Sequence, residues 1–293
     1  NNEITVAGTG SAMVGTFNNT GEINLNHVNS LINLTDCTVN NVSQITNDAG
    51  AGQGIKVNSD STITTLTHTT SSRIDLGAHQ LTITSAFSIG GKTLTLSGTG
   101  ILSGGIITLN DPNSLIQVTG ACTIANALTF SGDDATLDID ADTTCSGAFT
   151  FSANTTFDIA TSVTLKYSYI AATTTCRKNL KFIGNNGTMD MDNLTFEFNT
   201  GGTLDIDNNT TFVGNWKMNG KSKIHIATAM NLNIKAITSS DSTFELNTTG
   251  TITNLGEIFL MGTTVKVAML KISENTRIGG NFDGGTSSGT KSN

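Results

Sequence analysis

The sequence predicts an all-β fold, a right-handed parallel β-helix with about 20–21 residues and three short strands per coil. Three observations carry this. One alternating tetrapeptide recurs at near-constant spacing along most of the chain. The core-forming residues are chiefly Ile, Leu and Val, among many Thr, and 37% of the 293 residues are hydrophobic against 13% charged and 5% aromatic. β-branched residues favour the pleated, half-buried surface of a strand. Proline occurs once, at Pro112, as expected where nearly every strand hydrogen-bonds on both edges.

The first apolar residue of the recurring element falls at Ile74, Leu94, Ile116, Leu137 and Phe157, and again at Leu204, Ile224, Phe244 and Val265. Thr136-Leu137-Asp138-Ile139 and Thr203-Leu204-Asp205-Ile206 show the pattern, and Thr188-Met189-Asp190-Met191 repeats it between the two series. Each apolar pair points inward and the polar residue between them points out. Shorter pairs lie between these anchors, such as Leu81/Ile83, Ile107/Leu109 and Phe149/Phe151. Gly90-Gly91, Gly104-Gly105 and Asn185-Asn186-Gly187 supply the turns. Stacking coils about 4.8 Å apart gives roughly thirteen coils and a length of about 60 Å. One coil buries no core alone, so the coils stabilise each other.

In chain order, residues 1–50 are expected to be an N-terminal cap or irregular first coils, because a solenoid end exposes ladder edges. Residues 51–278 form the β-helix. A loop insertion is expected near 168–187, protruding over Ala171 to Asn179. Residues 279–293 are rich in Gly, Ser and Thr and read as a linker. Leu94, Ile116, Leu137, Phe157, Leu204, Ile224, Phe244 and Val265 are expected in one inward column. The strand edge at Val265 to Ile272 looks uncovered and is expected to pair with a following domain or another copy of the chain.

Net charge is −8 and the isoelectric point about 4.8, which excludes a nucleic-acid partner recognised through clustered Lys and Arg. No run of about 18 apolar residues provides a transmembrane helix. Cys37, Cys122, Cys145 and Cys176 match no zinc spacing. Cys122 and Cys145 occupy nearly equivalent places in adjacent coils, so either a disulfide or a pair of buried thiols is expected. His27, His68, His79 and His225 are scattered, and His225 takes an outward position.

Asp138, Asp140 and Asp142 share an outward face, and Asp190/Asp192 and Asp205/Asp207 repeat it. Carboxylates stacked in register would sit about 5 Å apart and repel unless relieved by a cation or a raised pKa. Asp138, Asp140, Asp190, Asp192, Asp205 and Asp207 are therefore calcium candidates. The alternative is a solvated polar face. No catalytic residue and no cofactor other than calcium is expected. Glycosidase chemistry needs only two carboxylates about 5–9.5 Å apart, but Trp216, Tyr167 and Tyr169 are the whole Trp and Tyr inventory for stacking sugars.

The segments from Ile74 to Thr84 (IDLGAHQLTIT) and from Lys92 to Gly105 (KTLTLSGTGILSGG) resemble passenger domains of bacterial autotransporter adhesins and filamentous-haemagglutinin-type exoproteins. The likeness covers residues 55–275 and is one of repeat grammar. It implies an extracellular or cell-surface β-helix used in adhesion, coating or self-assembly. The implied partners are further copies of the chain, or host and cell-surface glycans and proteins. Four cysteines depart from the cysteine-poor passenger pattern. The alternative from another class is a polysaccharide-binding or -cleaving β-helix.

Overall fold

The structure, a computed structural model, describes residues 54–169, 174–176, 178–198 and 202–219, with further strands at 4–5, 11–17, 23–25, 31–45, 223–226, 231–240, 243–248, 251–261, 269–273 and 277–283. Side-chain environments are described only within 32–42 and 54–213. Among the residues whose side chains are described, the chain is an all-β parallel solenoid of about 7 turns with three strands per coil and three sheets. Among the described residues no helix is long and apolar enough to cross a membrane. Two units divide at Phe149 and Thr150.

In the first unit, one sheet stacks Gly54–Val57, Ser72–Asp75, Thr93–Ser97, Leu115–Val118 and Ala135–Ile139. Ile55 stands beside Ile74, Ile74 beside Leu96, Leu96 beside Val118 and Val118 beside Ile139. A parallel column joins Leu94, Ile116 and Leu137. All eight side chains are fully buried. The second sheet stacks Ser61–Thr67, Gln80–Ile83, Ile101–Gly104, Thr123–Ile124 and Thr143–Cys145. The third holds Phe87–Ser88, Ile107–Leu109 and Leu128–Phe130. Upstream, Leu31–Ile45 pairs in parallel with Gly54–Val57 and with Ser61–Thr67.

The corner between the first two sheets is a stack of glycines. Gly98 has φ +88°, and a Cβ there would lie 2.5 Å from the Gly77 nitrogen; one on Gly120 would lie 2.4 Å from the Gly98 nitrogen. Only a residue without a side chain lets three backbones pass this close.

The second unit repeats the three-sheet plan with a different corner. Gly187–Phe198, Thr210–Asn219 and Asn231–Ser240 each run through the second and third sheets as one strand. Each carries a register shift at the bend, between Asp190 and Thr195, Phe212 and Asn215, and Asn233 and Ala236. The bend is made by a bulge rather than a break in the strand. Aromatics fill this core. Phe157 packs on Phe182 at 5.3 Å between ring centroids, and Phe182 meets Phe212 edge-on at 4.8 Å.

Two expectations are corrected here. The expected loop contains a strand: Thr174–Cys176 pairs with Phe196–Phe198; strand character resumes at Leu180-Lys181-Phe182 as the sequence suggests, in Asn179–Phe182, which pairs with Thr203–Ile206. Thr174 and Cys176 point inward and Thr175 outward, so the segment has the alternation of every other coil. Ala171 to Thr173 and Arg177 lie outside the described residues. The inward column is also rephased. Phe157 stands beside Phe182, and Phe182 beside Ile206, while Leu204 stands beside Ile224 and Ile224 beside Leu246, not Phe244. The coils here exceed the expected length, with 25 residues from Phe157 to Phe182 and 24 from Phe182 to Ile206. Thr188-Met189-Asp190-Met191 absorbs the difference, since Met189 stands beside Leu165 in the second sheet. Val265 lies outside the described residues.

Candidate functional site

The outward faces carry the polar chemistry. On the second sheet of the first unit, Thr62 stands beside Thr82 and Thr82 beside Ser103. Gln80 donates from Nε2 to Thr82 Oγ1 at 3.2 Å and to Ser103 Oγ at 2.9 Å, and the two hydroxyls are 3.1 Å apart. On the first sheet Arg73 donates from Nε and Nη2 to Ser97 Oγ at 3.0 and 2.8 Å. On the third, Ser88, Thr108 and Thr129 form one column. Period-two alternation sends these residues outward, and the coil register brings them together.

The acidic candidates are placed differently from a carboxylate stack. Asp138 stands beside Gln117, whose Nε2 donates to Asp140 Oδ2 at 3.1 Å. Asp190 lies between Lys166 and Val213 in the second sheet of the second unit. Asp205 lies on the first sheet of that unit, between Lys181 and His225. Lys181 Nζ donates to Asp207 Oδ2 at 2.7 Å. In these registers Asp138 faces an amide, Asp190 an ammonium and an aliphatic residue, and Asp205 an ammonium and a ring-bearing residue. Opposite charges across a ladder are the favourable choice. Among the described residues no group of three or more His, Cys, Asp or Glu is arranged to hold a metal ion. The Asp192 side chain lies outside the described residues.

Cys122, Cys145 and Cys176 are free and buried. Cys145 stands beside Ile124, not Cys122. A two-residue offset on neighbouring strands separates the Cα atoms by about 8 Å, past the roughly 7 Å a disulfide spans. The bridge entertained from sequence is therefore out of register. Burial pushes the Cys122 and Cys176 thiols up to about 11 and Cys145 higher still, with the neighbouring Cys122 adding to the Cys145 shift. These are packing groups rather than nucleophiles. The Cys37 side chain lies outside the described residues.

Tyr167 is buried, with its hydroxyl 2.8 Å from Thr174 Oγ1, so it offers no face to a sugar. The Trp216 side chain lies outside the described residues. Sequence reasoning missed two buried polar groups, His68 and Asn126. Asn126 donates from Nδ2 to the Gly105 carbonyl at 2.7 Å across the corner. Both occupy inward positions, and that parity was the available signal. No family model matches the chain, and comparisons with curated proteins and with solved structures find no match either.

Proposed function

We propose that this chain is a structural, adhesive module of an extracellular or cell-surface β-solenoid, akin in role to the autotransporter and haemagglutinin passengers its repeats resemble. The observation that supports this most is the Gln80–Thr82–Ser103 network. The outward groups are spent on one another along the ladder, at fixed spacing, rather than converging on a point where chemistry could occur. Such a face is suited to broad contact with hydroxyl-rich or amide-rich surfaces, including glycans and other copies of the chain. Self-association is the preferred route to assembly. A solenoid ladder can in general be extended by a further strand from another copy of the chain.

The test pairs surface binding with a cleavage assay. The chain is offered to immobilised polysaccharides and matrix proteins, and the same polysaccharides are followed for new reducing ends or unsaturated sugars. Retention without cleavage is the expected result. Sustained cleavage that fails in an Asp205→Asn or Asp138→Asn variant would establish the polysaccharide-processing alternative instead.

A further inference from the structure

We infer that the corner of the first unit holding His68 is an acid-sensitive latch: the neutral imidazole keeps the corner closed, and its protonation opens it. His68 follows Ser61–Thr67 at an inward position and is only 6% exposed. Its Nδ1 lies 3.3 Å from the Ile89 carbonyl oxygen on the next coil. A carbonyl only accepts, so Nδ1 carries the hydrogen and Nε2 the bare lone pair. That Nε2 has no hydrogen-bond partner. A second orphan, Ser72 Oγ, opens the following strand of the same coil, and Ser72 stands beside Leu94.

Protonation would place a positive charge in a buried site, and the backbone of Ile89, Thr93 and His68 offsets only part of that desolvation cost. The described charged group acting on His68 is Lys92, also on the next coil, and it opposes a second positive charge. Asp111 packs against Gly91, with its Oδ1 2.7 Å from where a Gly91 Cβ would sit and accepting from the Asn113 amide. Desolvation by burial holds the His68 pKa below its ordinary 6.5 against the pull of backbone hydrogen bonds from Ile89, Thr93 and His68, and Lys92 adds a smaller push in the same direction as burial. A depressed folded pKa stabilises the closed corner above the unfolded value, and the stability is lost as pH falls through the folded value. The imidazolium is then better served in water. Next to Ile89 are Gly90 and Gly91, at φ +63° and +69°, and a Cβ on Gly90 would meet nothing within 4 Å. The backbone over His68 is held to the following coil by Ile89 N to the Thr108 carbonyl at 2.9 Å, Gly90 N to Asn110 Oδ1 at 3.0 Å and Gly91 N to Ser114 Oγ at 3.1 Å, so opening the corner breaks these bonds.

Hydrogen exchange of the full chain reads this directly. Between about pH 7.5 and about pH 5, amides of segments 66–72 and 87–93 should exchange faster than the intrinsic pH effect allows, on the order of tenfold per unit by which the pKa is lowered. His68→Gln should abolish the acid response. Lys92→Gln, which leaves the imidazole in place, should weaken it by raising the folded pKa. His79→Gln should leave it unchanged. A wild-type corner indifferent to acid would overturn the latch. So would a full response retained in His68→Gln or, should that variant not fold, in His68→Leu.

Discussion

Lys181 stands in register beside Asp205 while its Nζ reaches past it to Asp207 Oδ2 at 2.7 Å. The ammonium is thus paired with a carboxylate of the following coil two residues beyond its register partner. Both partners of the short contact are part-exposed, at 41% and 33%, so the pair is worth no more than about 1 kcal/mol and is screened by salt. Lys181→Met should lower the urea midpoint slightly at low salt, with the difference fading at high salt. A loss that persists in high salt would mean that Lys181 acts mainly through packing.

The inward columns should respond far more strongly. Leu137 is fully buried and stands beside Ile116. Leu137→Ala should cost about 2–5 kcal/mol through lost burial and an unfilled cavity. Leu137→Asp should cost more, because the charge has no partner in the column. Denaturant unfolding of both variants, with Thr136→Ala as the outward control, checks the ordering.

Gly98→Ala tests the glycine corner. The added Cβ would sit 2.5 Å from the Gly77 nitrogen at a φ of +88°. Backbone strain of this kind costs about 1–3 kcal/mol before the clash is counted. A lowered melting temperature is expected for Gly98→Ala, whereas Gly90→Ala, with open space around it, should suffer only the φ cost.

Thiol labelling reports the cysteine environments. With Cys122 and Cys176 pushed up to about 11 and Cys145 higher, the thiolate fraction is small at neutral pH and grows as pH rises toward those values. Labelling of the three in the native chain should be slow at neutral pH and complete only on unfolding. Rapid native labelling of Cys145 would show that its coil is open to solvent.

The fold was legible because alternation is a local property: Leu94/Leu96 and Ile116/Val118 reveal their inward parity without any knowledge of partners. The same locality misled the phase of the second unit. Thr188-Met189-Asp190-Met191 has the same alternation as Thr203-Leu204-Asp205-Ile206, yet it lies in another sheet. Sequence spacing cannot distinguish a repeat in the next coil from one around the next corner when coil length grows. The partners of the acidic candidates were hidden for a related reason. Those partners, Gln117 and Lys181, come from coils whose register is fixed by apolar columns. His68 was missed because histidine is neither reliably buried nor reliably exposed: its inward parity was visible in the sequence, but its neighbours Ile89 and Lys92 were not.

The most direct test of the solenoid register is a cysteine crosslink on an outward face. Thr95 stands beside Gln117, so Thr95→Cys with Gln117→Cys should place the Cα atoms about 5 Å apart, within disulfide range. The pair should oxidise readily within one chain and raise resistance to unfolding. Thr93→Cys with Gln117→Cys, two residues out of register, should not crosslink. Preferential bridging of the Thr93 pair, or no bridging in either, would contradict the coil alignment on which the whole account depends.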